Sequence, residues 1–282
     1  MARRATKRDA GAAARPLREL LRVKPGAKVD LAASDCGATN GRDREAAESE
    51  TAANLERLTD LQARIWAEQK RAVLVVLQGI DAAGKDGTIR SIMGAFNPQG
   101  APVAAFKAPT SLELAHDYLW RVHAKLPARG EIGIFNRSHY EDVLIVRVDG
   151  LVPEERWRRR YRQIVDWERT LVDEGLTIVK LFLAIDREEQ RQRFQERVDD
   201  PEKRWKFSRE DLAKRKQWDD YRAAFEDMLE KTSTDDAPWY LVPSNRNWFR
   251  DLAVSEILAD VLADLDPRYP QPEKDLEGLV VE

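Results

Sequence analysis

The sequence predicts an α/β fold of three layers, a parallel sheet flanked by helices on both faces, with a helical lid. Three observations predict it. Short apolar runs such as VLVVLQ at 73–78 and TIVKLFLA at 177–184 alternate with helical stretches; a glycine-rich loop joins the first run to a helix; and residues 186–231 break the alternation without a strand. Apolar runs without polar alternation mark strands covered on both faces, which is how a parallel sheet between helices reads.

Residues 1–15, rich in Ala, Arg and Lys, predict a disordered basic tail. The arm that follows is irregular as far as Arg44, because Pro25, Gly26, Gly37 and Gly41 punctuate it. From Glu45 to Lys70, Leu55, Leu58, Leu61 and Ile65 recur at helical spacing, which predicts an amphipathic helix and closes an N-terminal unit spanning 16–70. The core then runs over 71–266. Strands are expected near 73–78, 102–106, 131–136, 177–184 and 239–242, and helices near 85–95, from Thr110 to Lys125 and after Pro153. Thr110 with Glu113, and Ser208 with Asp211, have capping-box spacing and set two helix starts. Within the lid, at about 186–231, two helical stretches flank the aromatic and basic connector ERVDDPEKRWKFS. Pro267, Pro270 and Pro272 predict a flexible C-terminal tail over 267–282.

With 282 residues and 43% hydrophobic content the chain can bury one large core. A formal charge of −3 gives no global basic field, so nucleic acid is not an expected partner and any polyanion site must be a focused patch. Cys36 is the single cysteine, which excludes an internal disulfide and multi-cysteine metal sites. Arg3, Arg4, Lys7 and Arg8 precede no apolar segment, and no later run is long enough to span a bilayer. The expectation is a cytoplasmic protein without a membrane partner.

The chemistry-bearing segment is GIDAAGKDGT at 79–88. Backbone amides around Gly79, Ala82, Ala83, Gly84, Asp86, Gly87 and Thr88 can converge on an anion, and Lys85 adds a movable charge for terminal phosphates. Asp86 stands where such loops usually place a magnesium-binding Ser or Thr. Asp81 offers a carboxylate beside the phosphates instead, with an Asx-turn cap as the alternative reading. In EIGIFNRSHYEDV, residues 131–143, a strand ends at Asn136; Arg137 can meet phosphate oxygens or pair with Glu141 or Asp142, and Glu141 can complete a metal site. His139 and Tyr140 read as local packing. In the lid, Arg193 and Arg197 lie at i and i+4, presenting two guanidinium forks toward phosphate or pairing with Glu189 and Glu196. Lys206, in the connector, and Lys107, after the second strand, join this basic set.

At these residues the chain resembles the polyphosphate kinase 2 family. The motifs are GIDAAGKDGT, NPQG at 97–100, FNRSHYEDV at 135–143, and the stretch from Arg191 through WKFSREDLAKRKQWDDY, within a match over roughly 20–265. The resemblance implies a P-loop kinase-like fold with a basic channel, and a magnesium-dependent, reversible transfer from inorganic polyphosphate to AMP or ADP. Manganese is the alternative ion and guanine nucleotides the alternative acceptors. It implies catalytic roles for Asp81, Lys85, Arg137 and Arg197, metal binding by Asp81 and Glu141, and assembly into a dimer or tetramer. Many members carry aspartate at the position of Asn136 and asparagine at that of Glu141; the exchange resembles the subclass acting on mono- and diphosphates. Two other readings stay open: an ATP-dependent P-loop kinase for nucleoside monophosphates or another small molecule, and a non-catalytic polyphosphate-binding protein. The missing hydroxyl after Lys85 supports the latter.

Overall fold

Seven consecutive buried residues, Ala72–Gln78, form β1, the centre of a five-stranded sheet in the order β2-β3-β1-β4-β5. All neighbouring pairs are parallel: β2 is Val103–Ala105, β3 Ile132–Asn136, β4 Leu176–Ala184 and β5 Trp239–Pro243. The computed structural model describes residues 15–274 and residue 279. Most of the expected N-terminal tail therefore lies outside the described residues, and 267–274 hold neither helix nor strand.

Successive side chains of a strand point to opposite faces. Val73, Val75 and Leu77 of β1 and Val179, Leu181 and Leu183 of β4 enter one core, while Leu74, Val76, Ile178 and Phe182 enter the other. The first core is covered by α2 (Arg44–Glu68), α3 (Lys85–Ser91) and α11 (Asn247–Asp264); α1 (Leu17–Leu20) packs on α11. The second core is covered by α7 (Glu154–Asp173) and α10 (Trp218–Thr232). The short helices α4 (Ser111–Leu114), α5 (Trp120–His123) and α6 (Ile145–Val148) belong to the connections, and α8 (Arg187–Asp199) and α9 (Arg209–Lys216) precede α10.

Several expected elements differ in extent. The helix expected near 85–95 ends at Ser91, and Met93–Ala95 tightens into a 3-10 turn. The helix expected from Thr110 to Lys125 is two single turns, α4 and α5. The Thr110–Glu113 capping box does form, but Leu112 and Leu114 face solvent with no core to propagate the helix, and Asp117 turns the chain ahead of α5 by accepting from Leu119 N at 2.9 Å. The second stretch of the 186–231 region breaks at Gln217 into α9 and α10, and Arg204–Lys206 of the connector is a 3-10 turn. The arm is tied down: Val23 N donates to Trp239 O at 2.8 Å and Leu241 N to Leu21 O at 2.8 Å, so it pairs antiparallel with β5.

Lys180 breaks the apolar run of β4 on its second face. Its ammonium, fully buried, donates to Glu168 Oε2 at 2.6 Å, Thr232 O at 2.7 Å and Tyr140 Oη at 3.0 Å. Tyr140 Oη donates to Glu168 Oε1 at 2.7 Å, and His139 Nε2 lies 3.1 Å from the same oxygen. Burial alone would raise the Glu168 carboxyl; Lys180, ahead of His139, outweighs it and holds the group below its ordinary value. His139 and Tyr140 thus pack in the core, but their side chains bond across the fold to Glu168 and Lys180 rather than locally. Removing one partner strands the other charge in an apolar layer, so Lys180→Met should lower unfolding stability by about 3–5 kcal/mol in denaturant titration. Lys180→Met combined with Glu168→Leu should recover part of that loss; a double variant no better than the single would contradict this account.

Candidate active site

The loop after β1 takes backbone angles that few residues tolerate. Gly79 sits at φ 153°, and a Cβ there would lie 2.7 Å from the carbonyl oxygen of Leu183 in the neighbouring strand. Gly84 sits at φ 109°, where a Cβ would collide with the Arg250 guanidinium. Between them Ala82 is also left-handed, at φ 68°. Lys85 opens α3, and its ammonium folds back on the loop, donating to Gly79 O at 2.6 Å and Ile80 O at 3.2 Å. Burial, ahead of repulsion from Arg137, pushes Lys85 down to about 8 despite Asp81 nearby.

Parallel pairing of β1 with β3, in which Leu77 faces Asn136, places the next residue of β3's chain beside the loop. That residue, Arg137, is left-handed at φ 63°, and its N–H donates to Leu77 O at 3.1 Å. Its guanidinium bridges two acids, with Nη2 2.5 Å from Asp81 Oδ1 and Nη1 3.2 Å from Glu141 Oε2. Lys214 Nζ of α9 approaches Asp81 Oδ2 at 3.9 Å. Burial would raise the Asp81 carboxyl, but Lys85, Arg137, Lys214 and Arg197 together hold it below its ordinary value. Asp81, Arg137 and Glu141 line a cleft with Gly79, Ile80 and Leu144, closed on its other side by Gln190, Asp211, Lys214, Tyr221 and Phe225.

Among the described residues no three His, Cys, Asp or Glu side chains gather into a protein-only metal cage. Magnesium, which keeps several waters and takes one or two carboxylates plus substrate phosphates, fits Asp81 and Glu141. Each has one oxygen not hydrogen-bonded to Arg137. Asp86, exposed, accepts from Asn136 Nδ2 at 2.8 Å, which joins the start of α3 to the end of β3.

The basic residues expected to face phosphate divide. Arg197 lies near enough to Asp81 to depress its carboxyl and rests 5.4 Å from the centre of the Phe194 ring; no carboxylate pairs with it among the described residues. Arg193 departs from the expectation of a fork open to phosphate. Its nitrogens donate to Glu189 Oε1 at 2.7 Å, Ala82 O at 2.9 Å and Ser244 O at 2.6 Å, so the helix phase turns it into the loop's outer wall. Lys107 and Lys206 are both exposed and bond to no loop residue; Lys206 lies 5.1 Å from the ring of Trp205. Asp81 is no mere Asx cap, since its side chain meets cations.

Sequence reasoning missed Lys214, Gln190 and Arg250. Lys214 stands three residues beyond Asp211 of the capping box, and that spacing puts both on the face of α9 that reaches the cleft. Buried Arg250 packs beneath Gly84 and Gly87, held by Asn247 Oδ1 at 2.8 Å and Asp251. No helix among the described residues is long and apolar enough to cross a membrane.

The arrangement has known counterparts. A family model described as polyphosphate kinase 2 matches residues 41–270. AMP/ADP-polyphosphate phosphotransferase of Meiothermus ruber is 52% identical over 264 residues, 93% of this chain and 98% of the relative. ADP-polyphosphate phosphotransferase of Rhodopseudomonas palustris is 47% identical over 229 residues, 77% of this chain and 79% of the relative. The crystal structure of polyphosphate kinase 2 from Arthrobacter aurescens TC1 superposes with a TM-score of 0.90 at 43% identity, covering 95% of this chain and 96% of that one. A parallel sheet with this glycine loop, matched along most of its length in sequence and in shape, places the chain in the polyphosphate kinase 2 family.

Proposed function

We propose that the protein transfers phosphoryl groups from inorganic polyphosphate to AMP and ADP, reversibly, forming ADP and ATP. The observation that carries this is a cleft where the phosphate loop meets Arg137 and Lys214 beside the carboxylates of Asp81 and Glu141, in a chain 52% identical to an AMP/ADP-polyphosphate phosphotransferase. Guanine nucleotides are further acceptors, since GDP-polyphosphate phosphotransferase of Mycolicibacterium smegmatis is 42% identical over 172 residues, 61% of each chain.

The acceptor is a phosphate already anionic near neutral pH, so transfer needs alignment and charge neutralisation rather than a strong base. Loop amides and Lys85 hold the donor oxygens, and Arg137 leaves its two carboxylates to meet the phosphoryl group in flight. Segment 186–231 acts as the lid, bringing Lys214 and Arg197 over the cleft and excluding water. Asp81 and Glu141 would hold magnesium, which supplies charge neutralisation for the phosphate oxygens when bound. We assign the protein to the cytoplasm, where its nucleotide substrates are, and to a homo-oligomer.

Incubating the protein with AMP, magnesium and polyphosphate and following AMP, ADP and ATP by chromatography should show ADP and then ATP. Transfer from ATP but not from polyphosphate would instead mark an ATP-dependent kinase. Lys85→Ala and Asp81→Asn should each lower turnover by about a hundredfold or more while melting near the wild-type temperature; near-normal turnover by either refutes its role. Because burial holds Lys85 at about 8 in the free protein, it is charged below that pH and loses its proton above it. The value of kcat/KM for polyphosphate should accordingly be level at lower pH and fall roughly tenfold per unit above it. A profile that keeps rising there would exclude Lys85 as the charge that matters.

A further inference from the structure

Two consecutive carbonyls flank the left-handed Ala82 of the glycine loop, and both are held from α8. Gln190 Nε2 donates to Asp81 O at 3.0 Å and Arg193 Nη1 to Ala82 O at 2.9 Å. The donors are three residues apart, on one face of the helix. Neither side chain is free for another task. Gln190 is 2% exposed, and its Oε1 accepts from Arg215 Nη1 of α9 at 3.0 Å. Arg193 spends its other nitrogens on Glu189 and on the carbonyls of Ser244 and Asn245 beyond β5.

In a trans peptide the carbonyl and the following N–H point opposite ways. Anchoring Asp81 O to α8 therefore fixes the direction of the Ala82 N–H, which meets no protein acceptor among the described residues. Anchoring Ala82 O fixes the next peptide, whose Ala83 N–H closes on Ile80 O at 3.1 Å. A left-handed alanine is disfavoured unless its surroundings over-determine it, and these two bonds do so. The same clasp sets the backbone from which the Asp81 carboxylate extends.

We infer that Gln190 and Arg193 are positioning residues that hold the loop in its anion-accepting form by its carbonyls, acting on phosphate through the loop rather than by binding it. The inference deepens the transfer reading and rests on it. Since Arg215 grips Gln190 from α9, the clasp also ties the loop to the segment that covers the cleft.

Gln190→Glu sets an acceptor against Asp81 O, and Gln190→Met fills the same volume without a polar group. In both, kcat should fall by about tenfold or more while the nucleotide KM stays within about twofold. In the free protein, deuterium uptake of a peptide spanning 79–88 should rise, with uptake in β4 unchanged. Unaltered kcat and loop uptake in both variants would overturn the inference; so would a rise in uptake throughout the chain in both, which marks plain packing residues. Wild type assayed alongside separates the claims, because an inactive wild type sinks the activity whereas loop uptake still tests the clasp.

Discussion

One carboxylate organises the site. Asp81 projects from a turn surrounded by Lys85, Arg137, Lys214 and Arg197, which come from the loop, the end of β3, α9 and α8. Without that acid, these cations would repel one another across a cleft partly shielded from water. With it, four separate elements share a counterion. The balance explains why Lys85 can be buried and still be pushed down only to about 8. It also suits a site whose substrates are polyanions, because Arg137 and Lys214 already face negative charge across the cleft.

The sheet supplies the precision. Gly79 can approach Leu183 O only because it lacks a side chain, and Arg137 enters the site only because β3 pairs in register with β1. Both constraints depend on strands buried on two faces, where sliding by one residue would exchange the two cores. The ion pair of Lys180 and Glu168 sits in one of those cores, next to the stretch bearing His139 and Tyr140, two and three residues beyond Arg137. The functional loop is thereby anchored on the far side to a buried network.

Legibility in the sequence followed the range of the interactions involved. The strands were readable because burial on both faces leaves a run like AVLVVLQ with almost no polar position, and the phosphate loop because glycine spacing is a local backbone requirement. The pairing of Asp81 with Arg137, 56 residues apart, was not legible, since the sequence offered Glu141 or Asp142 as the partner and only the general rule that ligands gather at the carboxyl ends of strands brings the two segments together. What escaped depends on helix phase. Arg193 and Arg197 lie one turn apart and carry the same chemistry, yet one is consumed by carbonyls while the other pairs with no carboxylate among the described residues and acts on Asp81 through its charge, a division set by how α8 rolls on the loop. Gln190 carries no charge to attract notice, and Lys214 needs the chain to fold back after the connector. The single-turn fate of α4 was hidden for a related reason: a cap starts a helix, but a buried face has to sustain it.

The contact between Asn136 and Asp86 bears on why an amide suits the end of β3 in this chain. Asp86 follows the loop lysine, where a hydroxyl would be neutral, and it lies 2.8 Å from the side chain of residue 136. An aspartate at 136 would set two acids at hydrogen-bond distance, a pairing that needs a shared proton or a bridging cation. An amide removes the conflict by donating to Asp86. The carboxylate of this segment stands five residues on at Glu141, where Arg137 compensates it at 3.2 Å. In this chain the amide at 136 and the carboxylate at 141 are thus each matched to the charge beside them, Asn136 to the acid that opens α3 and Glu141 to the Arg137 guanidinium.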